Sequence, residues 1–265
     1  MLNLCKDNKK ISDNIKEIEE NLLSLLYGRY NMKKLIICLT MILSLCLSVF
    51  AGDVAEYTDL GFSPDGKYYV FAQYGVTDKD FEPYAEIYTV DIEKNDFVKN
   101  GVYKVNPGTV KSVKSGFAVF EELYNKNKAN IDKYCGEKAT LDTTLYLRGP
   151  ESKSSSEEIT FKDFINSTEE NEIFYTINLV KHVSGKGKNL KSSFFIGVEQ
   201  KDALGKTLSR KVVGNPDYER SGVCDYVIRR IVADKSGKSI VFEIEKQIED
   251  SKGTSFRYMV ETFMF

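Results

Sequence analysis

Three carboxylates alternate along one loop and could bind a cation. Asp78, Asp80 and Glu82 stand directly before Pro83, and alternating carboxylates can present several oxygens to Ca²⁺. The glycine and the terminal glutamate of an EF-hand loop are missing from this segment. The pattern therefore predicts either a metal site formed by the three carboxylates or a solvated acidic loop.

Tyrosines close to this loop are the second group that could do chemistry. The chain contains 16 Tyr, 16 Phe and no Trp. Because neighbouring side chains of a strand point to opposite faces, some tyrosines of the predicted strands face outward. An exposed ring can bind a glycan, a peptide or another envelope protein, whereas a buried one covers a sheet edge or the rim of the core. The candidates for ligand binding are Tyr68, Tyr74, Tyr84 and Tyr88.

Histidine and cysteine are too scarce for the common catalytic and zinc sites. His182 is the single histidine, and a zinc site of His and Cys needs about four ligands. We therefore predict no catalytic residue of these types and no cofactor. Cys135 and Cys224 are the two cysteines beyond residue 51. In an oxidising compartment they form a disulfide if their Cα atoms approach within about 7 Å; otherwise they are two separate buried thiols.

Strands and tight turns must position these side chains. Ser63-Pro64-Asp65-Gly66 has the residues that a type I turn prefers, and aromatic and β-branched runs follow it. Related turns that end in glycine recur further along, so residues 172–264 are predicted to form a meander of about six strands. The fold class is mainly β, with antiparallel meander sheets arranged as a sandwich or as an incomplete propeller-like structure.

One helix is predicted within this β fold, over residues 110–134. Thr109 is placed as its N-cap, and Gly136 follows its end. The apolar residues that indicate the helix lie three or four positions apart, namely Val110, Val113, Phe117, Phe120 and Leu123.

A basic and apolar segment near the N-terminus predicts export. Met32-Lys33-Lys34 precedes an uncharged apolar run that ends at Ala51, so residues 32–51 are predicted to be a signal peptide and 52–265 a single secreted domain. Residues 1–31 are either an upstream extension or a mis-assigned start. The alternatives for the run are a transmembrane helix and a leader acylated at Cys46. The predicted location is periplasmic or secreted, with membrane contact through the leader alone unless Cys46 is lipidated.

Charge excludes one class of partner. Residues 52–265 carry 30 basic and 34 acidic side chains, a net charge of about −4. That balance provides no basic surface for nucleic acid, so no nucleic-acid binding is predicted.

Two segments resemble a bacterial family of predicted secreted proteins of unknown function. The first is Gly61-Phe62-Ser63-Pro64-Asp65-Gly66-Lys67-Tyr68, which continues through Phe71, Tyr74-Gly75-Val76 and Asp78; the second runs from Cys224 to Val260. The resemblance implies export and a domain without an assigned activity, and it provides no catalytic residues. The turn at 63–67 also resembles that of β-propeller blades, but it does not recur every ~40 residues as a propeller requires.

These observations favour a non-catalytic binding or structural module of the cell envelope. Its partner would be an envelope protein, a peptide or a glycan. The alternative is a periplasmic hydrolase that uses paired carboxylates, which needs no histidine. Two carboxylates in one pocket with a raised pKa would favour the hydrolase, and an exposed tyrosine face would favour binding.

Overall fold

The computed structural model describes residues 16, 17, 19, 20, 52–78, 80–110, 114–149, 158–250 and 253–265. The predicted signal peptide, with Cys46, lies outside the described residues, as does most of 1–31. The strands are β1 (Gly52–Val54), β2 (Glu56–Phe62), β3 (Tyr68–Val76), β4 (Pro83–Asp91), β5 (Asp96–Val105), β6 (Thr144–Leu147), β7 (Glu158–Lys162), β8 (Ile173–Ser184), β9 (Lys191–Asp202), β10 (Thr207–Val213), β11 (Arg220–Ser221), β12 (Val223–Ala233), β13 (Ser239–Asp250) and β14 (Gly253–Met264). Helix α1 is Gly116–Ile131, and short 3₁₀ turns span Leu141–Thr143 and Gly187–Asn189.

The strands form three sheets, one of which curls into a half-barrel. The N-terminal sheet has the order β2-β3-β4-β5, the central sheet β1-β14-β13-β12-β6, and the outer sheet β10-β9-β8-β7 with β11 beside β9. All pairs are antiparallel except β1 with β14. The prediction of a mainly β fold with antiparallel meander sheets is confirmed. The meander of 172–264 is divided, however, since β8–β10 lie in the outer sheet and β12–β14 in the central sheet.

Side-chain alternation explains why the sheets stack in layers. In β3, Val70 and Ala72 pack with the helix, whereas Tyr69 and Phe71 pack with residues of the central sheet. A third apolar cluster joins the central and outer sheets. The order of layers is therefore helix, N-terminal sheet, central sheet and outer sheet, and the central sheet is covered on both faces.

The helix begins six residues later than predicted. Its N-cap is Ser115, whose Oγ accepts a hydrogen bond from the Ala118 amide at 3.1 Å, while the Thr109 hydroxyl donates to the Asn106 carbonyl. The helix docks on β3 at Gly116, where an added Cβ would lie 2.5 Å from the Gly75 carbonyl oxygen. The close approach of the two backbones, which the apolar spacing does not encode, fixes the start of the helix.

Candidate functional site

A cleft of about 1110 Å³ lies beside β14 and is bordered by all three sheets. One side comes from the β4–β5 hairpin of the N-terminal sheet, and the other from the end of β10, the segment that follows it and Arg220 at the start of β11. Residues 258–263 of β14 line it along the strand, and Lys246 of β13 contributes a charged side chain. A cleft of this size can hold a ligand of several sugar or amino-acid units, since small-molecule pockets are typically about 300–1,000 Å³.

The edge of β14 inside the cleft is covered by side chains. Strand β1 pairs with β14 at residues 254–256, so in the described structure the edge beyond Phe256 has no strand partner. The side-chain oxygen of Gln73 accepts a hydrogen bond from the Tyr258 backbone amide at 2.7 Å. The side-chain oxygen of Asn95 accepts one from the Thr262 backbone amide at 2.7 Å. These two side-chain amides occupy hydrogen-bonding positions that an added strand would use, which protects the edge.

Lys246 is a half-buried cation inside the cleft. Burial and, to a smaller extent, the neighbouring Arg220 charge together lower the pKa of its ammonium to about 8. Within the described residues, Lys246 takes part in no ion pair. Its ammonium is therefore available to a negatively charged ligand.

The Glu86 carboxylate favours the charged form of Lys246. Other groups, however, already bind this carboxylate. It accepts hydrogen bonds from the Tyr88 hydroxyl at 2.6 Å and from the Gln73 amide at 2.6 Å, and its other oxygen lies 3.1 Å from the Lys104 ammonium. These contacts lower the pKa of Glu86 although burial opposes them. Glu86 therefore stays ionised without neutralising Lys246 directly.

Arg220 is a second cation in the cleft and is held by aromatic rings. Its guanidinium carbon lies 4.9 Å from the Phe194 ring centre and 4.8 Å from that of Tyr218. The facing carboxylate, Glu261, is 3.7 Å away and also accepts a hydrogen bond from Asn95. The Arg220–Glu261 contact is thus long for an ion pair and leaves guanidinium donors free for a ligand.

The predicted tyrosines do not lie on one face of the N-terminal sheet. Tyr68 and Tyr74 point towards the helix layer, where Tyr74 stacks on Phe120 at 5.0 Å. Tyr84 lies on the opposite face under Arg257 and is buried. Tyr88 alone of the four lines the cleft.

Exposed rings in the cleft come instead from Phe97 and Tyr218, which are 51% and 59% exposed. Phe97 stacks on Tyr88 at 5.2 Å. The sequence analysis missed both rings. The sequence contained a signal for the exposure of Phe97, because a phenylalanine directly after the Asn95-Asp96 turn lies at the exposed start of a strand.

The described structure does not assemble the predicted acidic loop into a metal site. No group of three or more His, Cys, Asp or Glu side chains in the described residues is placed to hold a metal ion. Asp78 and Asp80 flank residue 79, which lies outside the described residues, and the Glu82 amide donates to the Thr77 hydroxyl. His182 is exposed near Phe195, at 6.4 Å between ring centres.

Cys135 and Cys224 are free thiols, which is the second of the two alternatives that the sequence left open. Cys135 packs against the cluster between the helix and the N-terminal sheet. Cys224 lies in β12 of the central sheet, where its thiol donates to the Gln247 carbonyl at 3.4 Å. The two thiols thus belong to different layers. Burial raises the pKa of each to about 11, so neither is an activated nucleophile.

A second cluster of charged groups lies between the central and N-terminal sheets. A register shift in β12 between Ile228 and Arg230 interrupts the alternation of side chains there. Arg229 makes a bidentate contact with Glu245, at 2.9 and 2.7 Å. Arg230 lies 3.6 Å from Asp59. Three carboxylates, including Glu243 of β13, thus face two arginines.

Glu243 is the carboxyl of this cluster that holds a proton near neutrality. Burial, opposed by the Arg230 charge and supported by the Asp59 charge, raises its pKa to about 7. Burial also raises the pKa of Asp59, whose Oδ1 is buried without a hydrogen-bond partner in the described structure. Neither carboxyl lines the cleft.

Glu243→Gln is expected to remove a pH-dependent loss of stability. The carboxyl keeps its proton to about pH 7 in the folded state, against an ordinary pKa of 4.5, so its stabilising contribution is complete below pH 4.5 and declines as pH rises through 7. At pH 8 the variant should be more stable than the wild type by about 1 to 2 kcal/mol. Urea unfolding of the variant and the wild type at pH 4.5 and at pH 8 measures this difference. The prediction is contradicted if the stability of the two proteins depends on pH in the same way.

A family model described as "Predicted secreted protein (DUF2259)" matches residues 70–263. The description agrees with the predicted periplasmic or secreted location. No curated protein matches the chain. Among the described residues, no helix combines the length and the hydropathy that a membrane span requires.

Proposed function

Because the chain belongs to the DUF2259 family of predicted secreted proteins, we propose that it is an exported, non-catalytic module that binds an envelope glycan in the cleft beside β14. The observation that carries the proposal is the cleft itself, in which exposed aromatic rings adjoin Lys246, which has no ion-pair partner among the described residues, and Arg220, whose contact with Glu261 is long.

The chemistry of the cleft suits a sugar. A pyranose ring presents apolar C–H groups on its faces and hydroxyls around its edge, so it packs on an aromatic ring and hydrogen-bonds to polar side chains. Phe97 and Tyr218 offer exposed rings, and Asp96 and Asn215 offer a carboxylate and an amide group in the same cleft.

The covered edge of β14 argues against an extended peptide as the ligand. A peptide that adds to a sheet needs free backbone amides along the edge strand. Gln73 and Asn95 already accept the amides of Tyr258 and Thr262. Adding a strand would break both hydrogen bonds, whereas a sugar can lie above them.

Phe97→Ala and Tyr218→Ala are each expected to weaken glycan binding about fivefold, since a lost stacking contact is worth about 1 kcal/mol. The control is Phe164→Ala, because Phe164 is 48% exposed, similar to Phe97, and lies outside the cleft. Binding would be measured by calorimetry with the oligosaccharides that a glycan array identifies. Equal losses in all three variants, or no bound glycan on the array, would contradict the proposal.

A hydrolase that uses paired carboxylates is the second candidate. The observation in its favour is Glu243, whose pKa of about 7 and proximity to Asp59 resemble the acid and base pair of a glycosidase. The pair is separate from the cleft lining, so binding remains the preferred proposal. Turnover of nitrophenyl glycosides that Glu243→Gln abolishes would favour the hydrolase.

A further inference from the structure

We propose that the cleft selects glycans that carry a carboxylate, and that the Lys246 ammonium binds this carboxylate with Arg220 beside it. The inference rests on the proposed glycan binding and specifies its ligand class. It assigns a role to the Lys246 ammonium, a charged group that is not needed for the packing of the sheets.

Lys246 is a cation whose burial is not compensated within the described structure. A cation withdrawn from water is costly unless an anion or hydrogen-bond acceptor compensates it. Lys246 is half-buried and takes part in no ion pair within the described residues, and the nearby Glu86 is already engaged by Tyr88, Gln73 and Lys104. A ligand carboxylate would provide the missing compensation.

Arg220 supplies the geometry that the lysine lacks. Its planar guanidinium can bind a carboxylate through two parallel hydrogen bonds, whereas an ammonium is a point charge. The rings of Phe194 and Tyr218 hold the guanidinium, and its side chain is 17% exposed. Since Arg220 and Lys246 influence each other electrostatically, a single anion between them would relieve their mutual repulsion.

The charge of the cleft lining is opposite to that of the whole domain. The lining contains five cations and three carboxylates, whereas residues 52–265 carry an excess of acidic groups. The cations are Lys94, Lys104, Lys211, Arg220 and Lys246, and the carboxylates are Glu93, Asp96 and Glu261. Lys94 and Lys104 are ion-paired with Asp91 and Glu86 just outside the lining, so the charge that attracts an anionic ligand comes from Lys211, Arg220 and Lys246.

The test compares a uronate oligosaccharide with the same oligosaccharide after reduction of its carboxyl groups to alcohols. We expect the wild-type protein to bind the acidic form at least tenfold more tightly, and Lys246→Met to lose that preference while it keeps its affinity for the neutral form within about twofold. The control is Lys94→Met, which removes the same charge from the same cleft. Lys94 is 75% exposed and ion-paired with Asp91 at 2.6 Å, so its loss should leave the preference intact.

Each outcome separates the two proposals. Equal binding of both oligosaccharides by the wild type would overturn the carboxylate proposal and leave glycan binding standing, as would a preference that survives in Lys246→Met. Binding of neither oligosaccharide, together with an empty glycan array, would overturn glycan binding itself. Lys246→Arg provides a further check, because a retained charge should keep part of the preference if the protein is folded normally.

Discussion

Arg257→Ala should lower the free energy of unfolding by about 3 to 5 kcal/mol, the usual cost of leaving a buried charge without its partner. The Arg257 guanidinium bonds to the Asp53 carboxylate and donates to the Asp53 carbonyl at 3.2 Å. It also lies 4.4 Å from the centre of the Tyr84 ring, whose hydroxyl donates to Asp53 at 3.0 Å. Removing Arg257 would leave Asp53, which is 9% exposed, with one neutral donor.

The effect should be large because three strands meet at this contact. Asp53 is in β1, Tyr84 in β4 and Arg257 in β14, so the group joins the N-terminal and central sheets. Strand β1 is only three residues long and has few other contacts to hold it.

Urea unfolding would measure the loss, with Arg210→Ala as the matched control. Arg210 is 74% exposed and bonds to Glu199 at 2.7 Å, and exposed pairs contribute about 0 to 1 kcal/mol. In a double-mutant cycle, Asp53→Ala should recover part of the stability lost in Arg257→Ala, since it removes the unpaired carboxylate. A loss below about 1 kcal/mol in Arg257→Ala would contradict this prediction. It would show that β1 detaches from β14 and leaves Asp53 exposed to water.

Local signals in the sequence predict most of the strands. The turn at Ser63–Gly66 closes with the Gly66 amide donating to the Ser63 carbonyl at 2.9 Å, and Asp234 and Gly237 make the same bond. Such turns depend on the residue types at four consecutive positions, so they can be predicted from the local sequence. The assignment of β12–β14 and β8–β10 to different sheets depends instead on packing between residues far apart in the chain, for which the turns carry no information.

The start of the helix could not be predicted for a similar reason. Val110 and Thr109 fit a helix by spacing and by capping preference, but the chain turns into the helix at Ser115, where Gly116 meets the backbone of β3. A contact between Gly116 and Gly75 has no local signature.

Lys246 and the charged cluster around Glu243 were missed because the charged residues of β13 look like a solvent face. Glu243 and Glu245 alternate with apolar residues, which is typical of a strand with one wet side, and Lys246 extends the charged run. The central sheet is covered on both faces, so these side chains are withdrawn from water instead. A signal was present in the sequence: charged residues on a strand that also contains the fully buried Phe242 and Ile244 indicate a buried polar site.

Lys246→Met should stabilise the free protein, by about 2 kcal/mol at pH 7. Burial lowers the pKa of the ammonium from 10.5 to about 8, and each pKa unit corresponds to about 1.4 kcal/mol before the partial exposure of the side chain is allowed for. Methionine fills a similar volume without a charge to desolvate. A residue whose removal stabilises the fold is expected at a binding site, where selection favours the ligand contact over stability.

The pH dependence of this gain identifies its cause. Below pH 8 the folded and unfolded states both hold the proton of Lys246, so the wild type bears the full cost of the buried charge. Between pH 8 and 10.5 the folded state releases its proton first, and wild-type stability rises with pH relative to the variant. The difference between the two proteins should therefore fall from about 2 kcal/mol at pH 7 towards zero near pH 10.5, as measured by urea unfolding. A difference that stays constant over this range would mean that methionine stabilises through packing alone, and Lys94→Met, which loses only an exposed pair with Asp91, should show no gain in stability.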